Sequence, residues 1–402
     1  MEERRKSIKK NNRSMKEEGK RKTETKRYIN MKDDNKKLKT WIWIWTGATV
    51  ASLVVLLIIF YCLKKRLYWK KKTEESERIE AFLINYGPMA VNRYKYKQVK
   101  KMTESFKEKL GQGGYGCVFK GKLLDGRHVA VKILKESKSN GEEFINEVAS
   151  IGRTSHINNV TLLGFCFEGS KRALIYEFMS NGSLEKHIFK NNSSTNNREF
   201  GWEKLYEITL GIARGLEYLH RGCNTRILHL DIKPHNILLD EQFCPKISDF
   251  GLAKTCPGRE SIISMTGMRG TIGYIAPEIF CRNFGGISYK SDVYSYGMLV
   301  VEMVGARKNI CIGVDHKSSE IYFPDWIYKH LEFDEEFKLS GIENEEDKKI
   351  AKKLILVSLW CIQTNPLKRP PMDRVVDMLV GSVESLAIPP MPSISGSPTE
   401  QN

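Results

Sequence analysis

Apolar and polar residues are distributed unevenly along the chain and divide it into five segments. Residues 1–40 contain almost no apolar side chains, whereas residues 41–63 contain no charged ones. Residues 64–103 are basic and mixed, residues 104–383 have the apolar content of a globular domain, and residues 384–402 are rich in proline and serine. A segment without apolar residues cannot bury a core. We therefore expect the first segment to be disordered and the last to be a flexible tail.

The uncharged run WIWIWTGATVASLVVLLIIFYCL, residues 41–63, predicts a transmembrane helix. A helix of these 23 residues would extend about 34 Å, which is long enough to cross a bilayer with some tilt. Tryptophans lie at one end and Tyr61 at the other, as is typical of segments that meet two lipid–water interfaces. A buried core helix is the alternative, and the length of the run and its aromatic ends disfavour it.

Basic residues flank this run on both sides. Residues 24–40 hold six Lys/Arg and residues 64–80 hold seven, so the positive-inside rule does not decide the orientation. The run KKRLYWKKK, residues 64–72, is a candidate for contact with anionic lipid head groups. An ordinary stop-transfer flank explains it equally well.

The periodicity inside residues 104–383 changes near residue 178. Before that point, the runs GCVFKGKL, HVAVKIL, VTLLGFCFEG and RALIYEFM predict short strands. After it, apolar residues at steps of three or four predict a long amphipathic helix, with its stripe at Leu205, Ile208, Ile212, Leu216 and Leu219. We therefore predict an α+β fold with a β-rich N-terminal lobe, residues 104–178, and a helical C-terminal lobe, residues 179–383.

The distribution of charge argues against nucleic-acid binding, and the spacing of the cysteines argues against metal ligation by cysteine. The net charge is +17, but residues 1–40 hold 16 Lys/Arg against 7 Asp/Glu, and residues 64–72 hold six bases and no acid. The globular part is nearly neutral, so we expect no nucleic-acid partner. The nine cysteines show no CxxC or Cys/His metal spacing and are interpreted as free thiols in a reducing compartment.

A glycine-rich stretch, LGQGGYGCVFKG at residues 110–121, is a candidate phosphate-binding loop. Gly111, Gly113 and Gly116 form a GxGxxG pattern, which lets backbone N–H groups approach phosphate oxygens. The same pattern occurs in dinucleotide-binding folds, where a helix follows the loop. Here β-branched and aromatic residues follow, so the loop is predicted to be the turn of a hairpin.

Lys132 and Glu147 are predicted to form an ion pair. Lys132 ends the otherwise apolar stretch VAVK, where an ordinary surface lysine is the default alternative. In EEFINEVASI, Phe144, Val148 and Ile151 mark one helical face, and Glu147 lies on that face. An inward-pointing carboxylate is costly unless it is paired, and Lys132 is the natural partner.

The stretches ILHLDIKPHNILLD, residues 227–240, and SDFG, residues 248–251, contain a set of hard oxygen ligands. Asp231, Asn236 and Asp249 carry the carboxylate and amide oxygens that suit Mg²⁺ near a phosphoryl group. Phosphoryl transfer requires positioning, charge neutralisation and a carboxylate that accepts the hydroxyl proton. These residues together indicate that chemistry.

The motifs GxGxxGxV, VAVK, Glu147, HLDIKPHN, DFG and APE (Ala276–Glu278) follow one another in the order typical of eukaryotic protein kinases, and the chain resembles that family. The stretches NGSLEKHIF, RGTIGYIAPE, KSDVYSYGM and NPLKRPPM further resemble plant receptor-like kinases, in the group with leaf-rust-resistance and thaumatin ectodomains. The resemblance covers residues 104–383. It implies a bilobal kinase fold, ATP and Mg²⁺ as cofactors, and serine or threonine hydroxyls of proteins as substrates.

The resemblance also implies roles for individual residues. Asp231 would be the catalytic base, Lys233 would contact the γ-phosphate, and Lys132, held by Glu147, would contact the α- and β-phosphates. The implied metal ligands are Asn236 and Asp249. The implied nucleotide-binding residues are Leu110, Gly111, Gln112, Gly113, Gly114, Tyr115, Gly116, Cys117, Val118, Ala130, Lys132, Glu177, Met179 and Leu238.

Four further residues have implied roles away from the phosphates. Tyr176 would control access behind the adenine, and Glu278, Arg369 and Asp292 would be structural.

Leu230 stands directly before Asp231, where many members of the family carry an arginine. In those kinases the cation attracts a phosphorylated activation segment and orders it. Without it, we predict that phosphorylation of Ser261, Ser264 or Thr266 has little effect on activity. Thr271 is not included, because in the family this residue contacts the catalytic residues.

ATP and its protein substrates would place residues 104–383 in the cytoplasm and, with a single span, residues 1–40 outside. Glycosylation of Asn12 and bare sequons at Asn191 and Asn192 would fit this topology. Because nothing here could bind a ligand as a receptor ectodomain does, we expect a truncated gene product or a kinase that uses a partner receptor. The alternatives to an active kinase are a scaffold without transferase activity and a small-molecule phosphotransferase, which the stretch RGTIGYIAPE disfavours.

Overall fold

The structure is a computed structural model that describes residues 2–86, 91–114, 116–135, 141–152, 154–188, 199–256, 270–281, 286–305, 339 and 341–391. Two compact units divide the chain, one ending at Glu75 and one beginning at Ser76. Several residues singled out from the sequence lie outside the described residues: Tyr115, Asn191, Asn192, Ser261, Ser264, Thr266 and the tail from 392 onward.

The first unit is helical. It forms the larger part of a single long helix, α1, Glu2–Tyr86. Among the described residues, this helix is the one that is long and apolar enough to cross a membrane, as judged from length and composition. Its large apolar side chains between 41 and 63 are exposed, for example Trp43 and Leu57. Residues 2–40 are helical too, which differs from the predicted disorder. Their many lysines, arginines and glutamates have high helix propensity, so a helix forms there without burying a core.

A six-stranded sheet forms the N-terminal lobe of the second unit. The strands are β1 Asn92–Arg93, β2 Lys109–Gln112, β3 Gly116–Lys122, β4 His128–Leu134, β5 Leu162–Glu168 and β6 Lys171–Glu177. Their order in the sheet is β1-β5-β6-β4-β3-β2, antiparallel except for the parallel pair β1–β5. The four runs predicted as strands are β3 to β6. Two helices accompany the sheet, α2 Tyr96–Met102 and α3 Glu142–Ile151.

The C-terminal lobe is mainly helical. Its helices are α4 Glu185–Ile188, α5 Trp202–Glu217, α6 Pro277–Phe280, α7 Tyr289–Gly305, α8 Glu345–Cys361 and α9 Met372–Val380. Its short strands are β7 Gly182–Ser183, β8 Arg226–Leu228, β9 Ile237–Leu239, β10 Pro245–Ile247 and β11 Lys254–Cys256. The predicted apolar stripe is buried along α5 and, at Leu219, in the π-helical turn Tyr218–Gly222 that follows it. The predicted α+β architecture of a β-rich lobe and a helical lobe is therefore confirmed.

The second unit begins well before residue 104, where the sequence placed the start of the globular domain. Ile79 and Leu83, at the end of α1, are buried in the same apolar core as the N-terminal lobe. Strand β1 adds to the sheet beside β5, and Val99 of α2 is buried in a second, smaller cluster. Residues 76–103 are thus part of the fold.

Candidate active site

Lys132 lies at the centre of a group of charges in which Glu147 is completely buried and Asp249 is partly exposed. The register of the sheet places it on β4 between Val118 of β3 and Leu174 of β6. Its ammonium forms the predicted ion pair with Glu147 of α3, and it also donates to Asp249 Oδ1 at 2.7 Å. The second Glu147 oxygen, Oε2, accepts a hydrogen bond from the Tyr176 hydroxyl. One ammonium is therefore shared by two carboxylates that come from distant parts of the chain.

Burial and neighbouring charges displace the pKa values in this group. Burial, reinforced by the carboxylate of Asp249, raises the pKa of Glu147 to about 7 in spite of its pairing with Lys132. Burial alone would raise the pKa of Asp249, but the Lys132 ammonium outweighs it and holds that pKa well below the ordinary value. Burial opposes the charge of Lys132 as well, yet the two carboxylates raise its pKa. Asp249 and Lys132 thus remain charged at neutral pH, while Glu147 is poised to exchange a proton.

Asp231 lies in the loop between β8 and β9 and is surrounded by hydrogen-bond donors. Lys233 Nζ donates to Asp231 Oδ2 at 2.8 Å, and the Asn236 amide donates to the same oxygen at 2.9 Å. Thr271 Oγ1 donates to the other oxygen, Oδ1, at 2.7 Å and accepts a hydrogen bond from Lys233 Nζ at 2.7 Å. The structure thus brings together Asp231, Lys233 and Asn236 and adds Thr271, as the resemblance to kinases implied.

The backbone of this loop is held by Asp292, which is completely buried at the start of α7. Its two carboxylate oxygens accept the backbone N–H groups of His229 at 2.8 Å and Leu230 at 2.7 Å. Asp292 also bonds His220 Nε2 at 3.0 Å. Leu230 has a φ of 62°, a left-handed conformation that is rare for a branched apolar residue. The hydrogen bonds that Asp292 accepts from the backbone stabilise this strained turn.

The side chain of Leu230 is buried in an apolar cluster. Its buried partners are Leu228 of β8, Cys256 of β11 and Ile287, and Tyr289 packs against them. Strands β8 and β11 pair antiparallel, with Leu228 opposite Lys254. Where many kinases have a cation, this chain therefore uses apolar contacts between the catalytic loop and the strand that follows DFG.

Asn236 and Asp249 fit the requirements of a metal site that also uses phosphate oxygens. Asn236 directs its amide N–H to the carbonyl oxygen of Asp231 at 2.8 Å, and this contact orients its own side-chain oxygen as a candidate ligand. Asp249 has a φ of 64°, so a strained backbone fixes its carboxylate. No group of three or more His, Cys, Asp or Glu side chains suited to a metal occurs among the described residues. A divalent ion held partly by phosphates needs only such a small set of protein oxygens.

The glycine loop joins β2 and β3. The Gly113 N–H donates to the Gly116 carbonyl at 2.9 Å, which closes the turn. A Cβ atom at Gly116 would lie 2.1 Å from the carbonyl oxygen of Ile133, so close packing requires glycine there. At Gly111, Gly113 and Gly114 a Cβ would meet nothing within 4 Å, so open space lies beside the backbone. The predicted hairpin context of the loop is confirmed, and this open space is where a phosphate chain would fit.

The connection between the two lobes follows β6. The sheet places Ala130 opposite Tyr176 and Val129 opposite Glu177. Glu177 Oε1 accepts the Thr161 N–H at 2.8 Å and lies 3.3 Å from Lys246 Nζ of β10. Met179, one of the implied nucleotide-binding residues, lies two positions after Glu177 and is buried, and Leu238 lies on β9 opposite Lys246. Thr161 and Lys246 brace this connection, and sequence reasoning did not identify them.

Glu278 and Arg369 form a fully buried ion pair. Arg369 Nη1 and Nη2 donate to the two Glu278 oxygens at 2.7 and 2.8 Å. The remaining guanidinium donors bind the carbonyls of Gln363 at 2.7 Å, Lys290 at 2.9 Å and Thr364 at 3.1 Å. The pair thus joins the APE motif to the segment after α8, consistent with its predicted structural role.

Comparison with known families agrees with this arrangement. Residues 105–379 match the protein kinase domain. The chain belongs to the protein kinase family. The match covers more than half of the chain and contains every charged group described above.

Several of the curated relatives that this kinase matches are named as plant receptor-like or resistance kinases. The chain is 61% identical over 307 residues to a PR5-like receptor kinase of Arabidopsis thaliana, covering 75% of this chain and 45% of that protein. It is 55% identical over 339 residues to leaf rust 10 disease-resistance locus receptor-like protein kinase-like 2.1 of the same plant, covering 84% and 52%. It is 52% identical over 350 residues to rust resistance kinase Lr10 of Triticum aestivum, covering 87% and 55%. The kinase spans about half the length of these relatives, and the suspected family group is confirmed.

Proposed function

We propose that this chain is a membrane-anchored serine/threonine protein kinase that transfers the γ-phosphate of ATP to protein hydroxyls in plant receptor or defence signalling. The observation that carries the proposal is the shared ammonium of Lys132, which connects Glu147 to Asp249, together with an intact Asp231 loop. A scaffold without catalysis has no need for this arrangement of strained backbone and displaced pKa values. The matching relatives are named as receptor and resistance kinases, which supports the signalling context.

Each residue of the site contributes a defined step. Lys132, held by Glu147, would neutralise the α- and β-phosphates. Asp231 would orient the attacking hydroxyl and accept its proton, while Lys233 would neutralise charge on the transferred phosphoryl group. Asn236 and Asp249 would hold Mg²⁺, which supplies further charge neutralisation at the phosphates.

The nucleotide would lie between the glycine loop and the connection after β6. Backbone groups of Glu177 and Met179 would bind the adenine edge, with Ala130 and Val118 on one side and Leu238 on the other. Tyr176 would close the space behind the adenine, because its hydroxyl is bound to Glu147.

Membrane attachment would come from residues 41–63, with the kinase domain on the cytoplasmic side and residues 1–40 outside. The basic run 64–72 would contact anionic lipid head groups. A receptor protein is a candidate partner, since matching relatives are named as receptor kinases.

The test is autophosphorylation of the purified full chain with Mg-ATP. We expect turnover in the unaltered chain and a loss of about 10²–10⁴-fold in Asp231→Asn, because the substrate hydroxyl would lose its proton acceptor. Lys132→Ala should also lose activity, while Glu203→Gln on the exposed face of α5 should not. Binding of Mg-ATP without phosphate transfer by the unaltered chain would favour the scaffold instead.

A further inference from the structure

We propose that two segments, residues 76–86 and 91–94, which together we call the strap, hold α3 in the position where Glu147 reaches Lys132. The strap lies before the matched kinase domain, which begins at residue 105. The proposal rests on the proposed kinase function and adds a positioning element to its active site.

Apolar contacts anchor the helical part of the strap. Ile79 is completely buried, and Leu83 is 9% exposed. Both belong to one contiguous cluster that includes Phe144 and Val148 of α3, and Phe82 packs against the same cluster. Their neighbours Glu77 and Arg78 are exposed, so only one face of this part of the helix packs against the N-terminal lobe.

A guanidinium joins the two ends of the strap to β5. Arg93 Nη1 and Nη2 donate to Glu80 at 2.6 and 3.0 Å. Arg93 Nη2 also donates to the carbonyl of Phe167 on β5 at 3.2 Å. A half-exposed ion pair alone contributes little, but here the bidentate geometry and the backbone contact fix the strap against one strand.

The last residues of the strap are built into the sheet. Asn92 and Arg93 pair with Gly164 and Phe165 of β5 in parallel, and the Tyr94 N–H donates to the Phe165 carbonyl at 2.8 Å. A Cβ atom on Gly164 would lie 2.3 Å from the Tyr94 ring. The ring therefore rests directly on the backbone of β5, at a place that only glycine leaves open.

Strand β5 connects the strap to the active site through aromatic contacts. Phe144 of α3 lies with its ring centroid 6.0 Å from Phe165 and 5.6 Å from Phe167. These two phenylalanines are the residues whose carbonyls bind the strap. Phe144 precedes Glu147 by three positions, so the two side chains lie on the same face of α3. A shift of the strap would therefore reach Glu147 through β5 and Phe144.

The first test compares kinetics of the full chain in detergent micelles. We expect Leu83→Ala and Arg93→Ala each to lower kcat/KM for ATP by about 3–30-fold, the range seen for residues that act through a packed network. Leu83→Met should recover most of the loss at that position, whereas Arg93→Lys should recover only part of it, because an ammonium cannot form the bidentate contact. Glu77→Ala, on the exposed face of the same helix, should have no effect. Unchanged kinetics in both alanine variants would overturn the proposal.

A double-mutant cycle with Glu147 distinguishes positioning from general stabilisation. In a Glu147→Gln background, where the ion pair with Lys132 is already lost, Arg93→Ala should cause little further loss of residual activity. An equal loss in both backgrounds would show that the strap only stabilises the fold. Arg93 is half-exposed, so this variant is expected to fold even if Leu83→Ala does not.

Hydrogen exchange gives a readout that does not need catalysis. Amides of α3 should exchange faster in Arg93→Ala and Leu83→Ala than in Glu77→Ala. The reason is that α3 would lose the stabilisation that the strap provides through the apolar cluster and β5. If the unaltered chain transferred no phosphate, the proposed function would fail, yet this measurement would still report on the strap. Unchanged exchange along α3 would by itself overturn the proposal that the strap positions this helix.

Discussion

Glu278 with Arg369 and Lys132 with its two carboxylates are both buried charge groups, but they are satisfied differently. Every N–H of the Arg369 guanidinium binds an oxygen of the protein, and Glu278 accepts both parallel bonds. In the cleft, one ammonium serves Glu147 and Asp249, which leaves an excess of negative charge and a pKa of Glu147 of about 7. A charge group whose donors are all bound within the protein contributes to stability. A group with excess negative charge can still bind a ligand.

The largest effect should come from breaking the closed pair. Arg369→Met leaves the Glu278 carboxylate buried without its cationic partner, with the Ser291 hydroxyl still donating to Oε1, and we expect a loss of about 3–5 kcal/mol in unfolding free energy. Chemical denaturation measures this loss. The matched control is Arg374→Met, since Arg374 is 68% exposed and its ion pair with Asp377 is a surface contact. Replacing Glu278 by Leu in the same variant should recover much of the stability, and a further loss would contradict the interpretation.

Removing the ammonium of the unbalanced group should mainly affect activity. Lys132→Met is expected to lower kcat by about 10²–10³-fold, since the phosphates lose a preorganised cation. Its unfolding free energy should fall less than that of Arg369→Met, because Glu147 can take up a proton when the ammonium is absent. Phosphate-transfer kinetics and denaturation of the same samples check both parts. A loss of stability as large as that of Arg369→Met would remove the proposed distinction.

The pH dependence of the unfolding free energy should report the protonation of Glu147. Its pKa is raised by burial from an ordinary 4.5 to about 7, so the folded chain binds this proton more tightly than the unfolded chain. The resulting stabilisation is complete below pH 4.5 and is lost as the pH rises through 7. Over this window, Glu147 should lower the unfolding free energy by up to about 1.4 kcal/mol per pH unit. Denaturation at several pH values should show a slope in the unaltered chain that is absent in Glu147→Gln and kept in Glu203→Gln.

The smallest effect should follow from removing hydroxyls of the activation segment. Alanine at Ser261, Ser264 and Thr266 together should leave turnover within about twofold, because Leu230 offers no cation that a phosphate could bind. Initial rates of substrate phosphorylation measure this. Abolished turnover would show that the apolar cluster around Leu230 does not replace phosphate-driven ordering.

Local patterns predicted much of the site. The helical face of Phe144, Val148 and Ile151 was sufficient to predict that Glu147 points inward. The single lysine in an apolar strand was sufficient to identify its partner. The second partner of Lys132, Asp249, is 117 positions away, and no local period encodes such a contact. The Tyr176 hydroxyl on Glu147 was missed for the same reason.

Other features were missed although a signal was present. Ile79, Phe82 and Leu83 recur at steps of three and four, which predicts an amphipathic helix against a core. The charged surroundings of these residues masked that pattern, so the fold was predicted to begin at residue 104. Residues 2–40 are helical in the structure, whereas their low apolar content predicts disorder, because strong helix formers need no core to adopt the conformation.

The burial of Leu230 in an apolar cluster has a consequence for how this catalytic loop can change over generations. A cation introduced there by one substitution would place a guanidinium among the apolar side chains of Leu228, Cys256 and Ile287, where burying an unpaired charge is costly. The substitution would therefore be selected against until the neighbouring side chains had also become polar. Inheritance of the apolar loop is then a property of four positions together, and lineages that possess it should rarely revert.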